Sequence, residues 1–109
     1  MPVYNKLVRD NIPGIIRKSG SNCETVTLGK EEFAVEVKRK LREEMEEYFM
    51  ADNDSHSLEE LADLLELVHA AAETHGSSFA EIEQIRLEKK KERGGFEERI
   101  FLHKVIDNE

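Results

Sequence analysis

The sequence predicts an all-α, mainly helical protein, and three observations support this fold class. Two long stretches, 30–50 and 58–75, carry apolar side chains at the three- and four-residue spacing of amphipathic helices. Capping residues and glycines stand where such helices would begin and end. The β-prone segments are few, short and confined to the regions outside these stretches.

The first predicted element is a short helix from Asn11 to about Ser19. Pro13 falls in its first turn, where the fixed φ and the missing N–H of proline are tolerated. Gly20 ends the helix, because glycine readily leaves the helical conformation. The segment that follows, 23–28 (CETVTL), is short and β-prone.

Two long helices come next in the chain. The first is predicted over 30–50, and residues 51–56 are predicted to form a loop. Ser57 is then the predicted N-cap of the second helix, over 58–75, which Gly76 closes. Because the connection between them is short, the two helices are expected to lie antiparallel.

The last predicted helix begins after Ser78, which forms a capping-box pattern with Glu81. This helix is expected to run to about Arg93, where two glycines stop it. The tail segment 99–106 (RIFLHKVI) is predicted to be a strand that can pair with 23–28 into a small two-stranded sheet.

Length and charge limit the class of protein. A chain of 109 residues fits one domain, 1–109, with a modest core that oligomerisation would enlarge. The net charge of −8 argues against a duplex nucleic-acid partner, which requires a basic face. The single cysteine excludes an internal disulfide, and the absence of a long apolar run predicts a cytoplasmic protein with no membrane partner.

The first long helix places its glutamates on different faces. Glu44 falls within the apolar stripe and Glu47 lies one turn further on at its border, whereas Glu43 and Glu46 point away. The stripe consists of Phe33, Val37, Leu41, Met45 and Tyr48. A run of glutamates is usually a solvated face, but a lone carboxylate on a buried face is costly unless it is paired or binds a metal.

The second long helix repeats this arrangement. Glu60 falls inside a very wide apolar arc, and Asp63 lies at the edge of that arc, one turn away. One alternative is that Glu60 only completes a capping box with Ser57. Four inward carboxylates on two facing helices would repel one another unless a cation lay between them. All-oxygen ligands favour Mg²⁺, or Mn²⁺, over zinc. The histidines at 56, 75 and 103 are isolated in the sequence and receive no role.

The last predicted helix, after Ser78, carries the opposite charge. Its cations, at Arg86, Lys89, Lys90 and Arg93, have two interpretations. They can complement the helix macrodipole in its last turns, or they can reach the carboxylates and hold phosphate oxygens of a substrate. No Walker A or dinucleotide-binding glycine loop is present, so phosphate binding would rest on a metal and side chains.

The paired motifs resemble the all-α nucleoside triphosphate pyrophosphohydrolase superfamily, the MazG-like proteins. E-x-x-E and E-x-x-D in that order match Glu44, Glu47, Glu60 and Asp63, and KLREEMEE and EELADLLEL resemble the flanking family segments. YNKLVRDNIP and ERGGFEERIFL are similar to the ends of a phosphoribosyl-ATP pyrophosphohydrolase-like branch. That branch usually has Lys where this chain has Asn11, which leaves Lys6 and Arg9 as candidate phosphate contacts near the start.

The resemblance implies a Mg²⁺-dependent enzyme that splits a non-canonical nucleoside triphosphate into monophosphate and pyrophosphate in a house-cleaning role. Mg²⁺ would be held by the four motif carboxylates, and a water deprotonated by one of these glutamates or by Glu43 would attack the α-phosphate. Family members are dimers or tetramers. Two alternatives stay open: hydrolysis of phosphoribosyl-ATP, and a non-catalytic helical binding or regulatory oligomer. The sequence does not specify the base.

Overall fold

The computed structural model describes residues 2–107 and confirms the mainly α fold class. Within that range the chain forms four α-helices: α1 (Ile12–Lys18), α2 (Lys30–Phe49), α3 (Asp54–Thr74) and α4 (Phe79–Arg93). In the same range, every helix is too short or too polar to cross a membrane.

The prediction of a small sheet is wrong for the described residues. Both 23–28 and 99–106 lack regular secondary structure, and no strand occurs anywhere in 2–107. Val26 is 85% exposed and Phe101 is also 85% exposed, so these apolar side chains are not packed on any surface of the described chain. High β-propensity reflects how well a side chain fits a pleated, partly buried surface, and without that surface it does not produce a strand.

The start of α3 differs from the prediction in a way that matters for the site. The helix begins at Asp54, inside the predicted loop, because the Asn53 side chain accepts a hydrogen bond of 2.8 Å from the backbone N–H of His56. Ser57 is therefore a helical residue and not the N-cap. Glu60 lies in the second turn of α3, so the alternative that Glu60 merely completes a capping box with Ser57 is wrong.

The other helix ends agree with the sequence to within about two residues, the usual uncertainty of helix boundaries. Gly20, beyond α1, and Gly76, beyond α3, have φ values of +98° and +70°. Glycine adopts this left-handed conformation without steric cost, which explains why each helix stops there.

Helices α2 and α3 pack against each other and form an antiparallel hairpin, since only residues 50–53 connect them. Val37 on α2 and Ala72 on α3 are the buried apolar residues of the described chain. Within the residues up to Phe79, α1 makes no comparable contact with either long helix. The hairpin is thus the rigid framework from which the acidic side chains project.

One face of the hairpin leaves large apolar side chains uncovered. Leu58, Leu61 and Leu65 on α3 are 66%, 44% and 50% exposed, and they follow one another at helical spacing along that helix. We refer to these three residues as the leucine face. Its exposure matches the wide apolar arc that the sequence predicts for this helix.

The chain divides into two compact units, one up to Phe79 and the other from Ala80 on. The first unit contains α1 and the α2–α3 hairpin. The second contains the rest of α4, which ends before Gly94 with its φ of +85°, and an irregular tail. A single helix with a tail is smaller than an independent domain, so the interpretation of 1–109 as one domain stays a prediction.

Candidate metal centre

Three carboxylates from the two hairpin helices converge. Glu44 and Glu47 project from α2 and Glu60 from α3, and one carboxylate oxygen of each lies within 4.8 Å of the other two. We call these three residues the acidic cluster. Glu44 and Glu47 are one helical turn apart, so they share a face of α2. The antiparallel packing of the hairpin brings that face opposite Glu60.

Two carboxylates of the acidic cluster, those of Glu44 and Glu60, are buried without a full set of hydrogen-bond partners among the described residues. Glu44 is 8% exposed and Glu60 is 7% exposed. The Oε2 atoms of both side chains are inaccessible to solvent and have no hydrogen-bond partner among residues 2–107. An unpartnered buried carboxylate oxygen costs free energy, typically about 1–3 kcal/mol or more when charged. The arrangement is therefore incomplete without a proton or a cation.

The electrostatics of Glu44 reflect the same deficit. Burial is the main cause that raises its pKa from 4.5 to about 7, followed by the close approach of the Glu60 carboxyl group and repulsion from Glu47 and Asp63. Near neutral pH the Glu44 carboxyl group is therefore protonated part of the time.

Positively charged and imidazole groups surround the carboxylates but only partly offset them. Lys40 Nζ lies 3.9 Å from Glu44 Oε1, which is too far for a hydrogen bond, and His56 Nε2 lies 3.1 Å from Glu60 Oε1. Arg9 Nη2 donates a hydrogen bond of 2.7 Å to Asp63 Oδ1. Lys40 and Arg9 are thus the only cations in contact with the four motif carboxylates among the described residues, and Lys40 is shared with Glu43.

Asp63 stands apart from the other three motif carboxylates. It is on α3, one turn after Glu60, but its side chain is 41% exposed and paired with Arg9. The acidic cluster consequently has three carboxylates directed at one another and a fourth, Asp63, engaged by a residue from the N-terminal segment. Asp63 remains near enough to raise the pKa of Glu44 by repulsion.

His56 and Lys40 lie beside the buried glutamates, although the sequence pattern predicts a role for neither of them. Each stands four residues before a buried glutamate, in the pairs Lys40–Glu44 and His56–Glu60. That spacing places the two side chains of a pair on the same helical face. For His56 the signal was hidden, because the predicted loop over 51–56 removed it from the helix.

The remaining predicted site residues in the first unit lie outside the acidic cluster. Glu43 is exposed and its Oε2 is 3.9 Å from Lys40 Nζ, so it flanks Glu44 without facing the other carboxylates. Lys6 is exposed, with its Nζ 5.4 Å from the centre of the Tyr4 ring. The roles of Glu43 as a base and of Lys6 as a phosphate contact stay predictions.

The four predicted cations of α4 all belong to the second unit and are exposed. Arg86 forms a two-pronged hydrogen bond with Glu83, which lowers the pKa of Glu83 and raises that of Arg86. Lys90 Nζ lies 3.4 Å from Glu97 Oε1. Within the described residues, no ion pair engages Lys89 or Arg93. Their binding of substrate phosphate stays a prediction.

The residues present fit a hard divalent cation. The acidic cluster offers oxygen ligands only, as Mg²⁺, Mn²⁺ and Ca²⁺ prefer. Oxygens on opposite sides of such an ion are about 4–5 Å apart, given bonds of about 2.0–2.6 Å, and the cluster spans a comparable distance. A cation bound there would also offset the charge of Glu44 and Glu60, whose buried Oε2 atoms have no partner among the described residues.

No protein-family model, curated protein or solved structure matches this chain.

Proposed function

We propose that this protein is a MazG-like, Mg²⁺-dependent nucleotide pyrophosphohydrolase. Its reaction cleaves the bond between the α- and β-phosphates of a non-canonical nucleoside triphosphate and releases a monophosphate and pyrophosphate. One observation carries the proposal: Glu44 and Glu60 meet from two facing helices with buried, unpartnered oxygens, and Glu47 is beside them. The paired motifs resemble a family in which those positions hold metal.

In this proposal Glu44, Glu47 and Glu60 hold Mg²⁺, with Asp63 as a fourth carboxylate ligand; Mn²⁺ is an alternative ion. The ion supplies Lewis-acid polarisation of the phosphate under attack. A carboxylate of the site, from Glu43, Glu44 or Glu47, takes the proton of the attacking water.

The phosphate charge is met by cations of the chain itself. Arg9 is already within 2.7 Å of a motif carboxylate, so it is the best-placed candidate. Lys6, Arg86, Lys89, Lys90 and Arg93 are the others that the sequence suggests. A guanidinium such as that of Arg9 can bind two phosphate oxygens at once, which fixes the orientation of the group as well as its charge.

We further propose that the protein acts as a homodimer or homotetramer. The leucine face supports this, because its three leucines, spaced along α3, are 44–66% exposed. By contrast, the hairpin fully buries two apolar residues, Val37 and Ala72. Burial of such side chains is worth roughly 1.5–3 kcal/mol each, so a second copy packed on this face would supply much of the missing core.

A product assay tests the proposed reaction. Purified protein is incubated with Mg²⁺ and a panel of normal and modified nucleoside triphosphates. Phosphoribosyl-ATP is included because its hydrolysis is the alternative activity that the sequence suggests. Monophosphate, diphosphate, pyrophosphate and inorganic phosphate are measured separately. Monophosphate with pyrophosphate in equal amounts supports the proposal, and the relative rates identify the substrate.

The matched variants are Glu44→Gln and Glu46→Gln. Glu46 is two residues away on the exposed side of α2, so its substitution removes one charge without touching the acidic cluster. Activity should vanish in the first and persist in the second. Diphosphate with phosphate as products, or full activity of Glu44→Gln, would contradict the mechanism. No turnover of any substrate would favour the non-catalytic oligomer.

A further inference from the structure

The pair between Arg9 and Asp63 links two parts of the first unit that are far apart in sequence. Arg9 precedes α1, Asp63 lies in the middle of α3, and Arg9 Nη2 donates to Asp63 Oδ1 at 2.7 Å. The backbone of Arg9 is also fixed, since its carbonyl oxygen accepts a hydrogen bond of 3.0 Å from the N–H of Ile12 at the start of α1. The Arg9 side chain thus starts from an ordered backbone position and reaches Asp63, one helical turn from Glu60 of the acidic cluster.

Asp63 has two competing uses. A carboxylate whose oxygen accepts a charged hydrogen bond from arginine is a poorer ligand for a cation, because the two positive charges would have to share it. The other three carboxylates have no arginine partner, and two of them carry buried, unpartnered oxygens. A metal ion in the cluster would therefore draw on Asp63 most easily after Arg9 had moved away.

The contact is suited to such an exchange. The Arg9 side chain is 57% exposed and that of Asp63 is 41% exposed. Ion pairs of this exposure contribute little to stability, so a divalent cation nearby can outcompete the guanidinium. Arg9 has five N–H donors, and once released it would remain next to the site with all of them available to phosphate oxygens.

We propose that Arg9 and a divalent cation compete for Asp63, so that metal loading of the acidic cluster releases Arg9 to bind a phosphate group of the substrate. This inference rests on the proposed function, because it takes the acidic cluster to be a metal site. It adds an order of events. The cation binds first, and its binding releases the Arg9 side chain from Asp63 so that Arg9 can bind phosphate.

Metal affinity in a double-mutant cycle tests the competition. Binding of Mn²⁺ to the full chain is followed by the electron paramagnetic resonance signal of the free ion, which requires no turnover. Arg9→Gln should tighten Mn²⁺ binding about 2- to 5-fold, the range expected when a partly exposed ion pair no longer opposes it. Asp63→Asn should weaken Mn²⁺ binding by about tenfold or more, since it removes a charged ligand.

Lys40→Gln is the matched control for charge alone. Lys40 is also a cation beside the cluster, 3.9 Å from Glu44, but it does not touch Asp63. In the Asp63→Asn background, Arg9→Gln should lose its effect on Mn²⁺ affinity, whereas Lys40→Gln should keep its own. Equal behaviour of the two variants in both backgrounds would overturn the competition, because Arg9 would then act only as one more positive charge.

A direct view of Arg9 comes from the side-chain Nε–Hε nuclear magnetic resonance signals of ¹⁵N-arginine-labelled protein. The Arg9 signal is the one missing in Arg9→Gln. Saturation with Mg²⁺ should move it to the position of a solvated arginine, and pyrophosphate added with Mg²⁺ in excess should move it again. A signal unchanged by Mg²⁺ would overturn the release of Arg9, and one unchanged by pyrophosphate would overturn its transfer to phosphate.

The outcomes separate this inference from the proposed function. If the wild-type chain binds no Mn²⁺, both are overturned. If Mn²⁺ binds but Asp63→Asn binds it as tightly as the wild type does, the metal site stands and the competition for Asp63 is overturned.

Discussion

Glu44 on α2 and Glu60 on α3 meet with one oxygen of each carboxylate buried and without a partner. The two residues come from different helices, so neither one alone explains the arrangement. Their meeting requires the antiparallel hairpin, and it concentrates negative charge at a place where His56 reaches only one oxygen of Glu60 and the two Oε2 atoms have no donor among the described residues. The first two predictions follow from this relationship.

Glu44→Gln should stabilise the metal-free protein by about 1–2 kcal/mol, because the amide removes a buried charge and can donate a hydrogen bond to Glu60. Thermal unfolding in a chelating buffer measures this. The same variant should lose the stabilisation that Mg²⁺ gives the wild type. Glu46→Gln, on the exposed side of α2, should change neither value. If the metal-free Glu44→Gln protein is less stable than the wild type, the Glu44 carboxylate already has enough hydrogen-bond and charge partners without a metal.

The metal-free protein should lose stability as the pH rises from about 4.5 to 7. The pKa of Glu44 is raised to about 7 in the folded state from 4.5, so in this window the folded state binds more protons than the unfolded state. The free energy of unfolding must then fall with pH, by up to about 3 kcal/mol from this group. Urea unfolding at several pH values measures the slope, and the contribution should be absent in Glu44→Gln.

His56→Leu should destabilise the metal-free protein by about 1 kcal/mol or more, because Glu60 Oε1 loses its partner at 3.1 Å while Glu60 Oε2 already has none. His56→Gln should recover part of the loss, since its amide can donate to the same oxygen. His75→Leu serves as the control, as His75 is an exposed residue at the end of α3. Equal effects of the substitutions at 56 and 75 would mean that the imidazole contact to Glu60 contributes nothing.

Leu61→Glu should shift the protein towards the monomer, because it places a charge in the middle of the leucine face. Sedimentation velocity over a range of concentrations measures the association. Val26→Glu is the control, since Val26 is 85% exposed but lies in an irregular segment outside the two long helices. A wild-type chain that stays monomeric at every concentration would contradict the proposed oligomer.

Much of this structure follows from spacing along helices. The apolar stripe of α2 predicts that Glu44 points inward and Glu43 outward, and the structure has Glu44 buried and Glu43 exposed. The same argument places Glu60 inside the arc of α3. Spacing predicts these directions because both helices are long and pack on one side, although Met45 and Tyr48 of the predicted stripe are 45% and 37% exposed.

The errors have physical causes that a single sequence conceals. Ser57 and Asn53 are both good N-caps, and only the hairpin connection determines that the chain enters the helix at Asn53. This difference of one turn brought His56 onto the helix and next to Glu60. The Arg9–Asp63 contact spans 54 positions, and no local pattern encodes it. The segments 23–28 and 99–106 do not form strands, because β-prone side chains stabilise a strand only when they pack against a surface.

The short connection between α2 and α3 has a consequence for how the site comes into being. The four motif carboxylates lie within residues 44–63, on two helices joined by a few residues, so the contacts that assemble them are local in sequence. Local contacts form early and fast, because little chain entropy is lost in closing a short loop. The hairpin alone therefore supplies every motif carboxylate, and a metal ion bound by them would tie its two helices together without any contribution from α1 or α4.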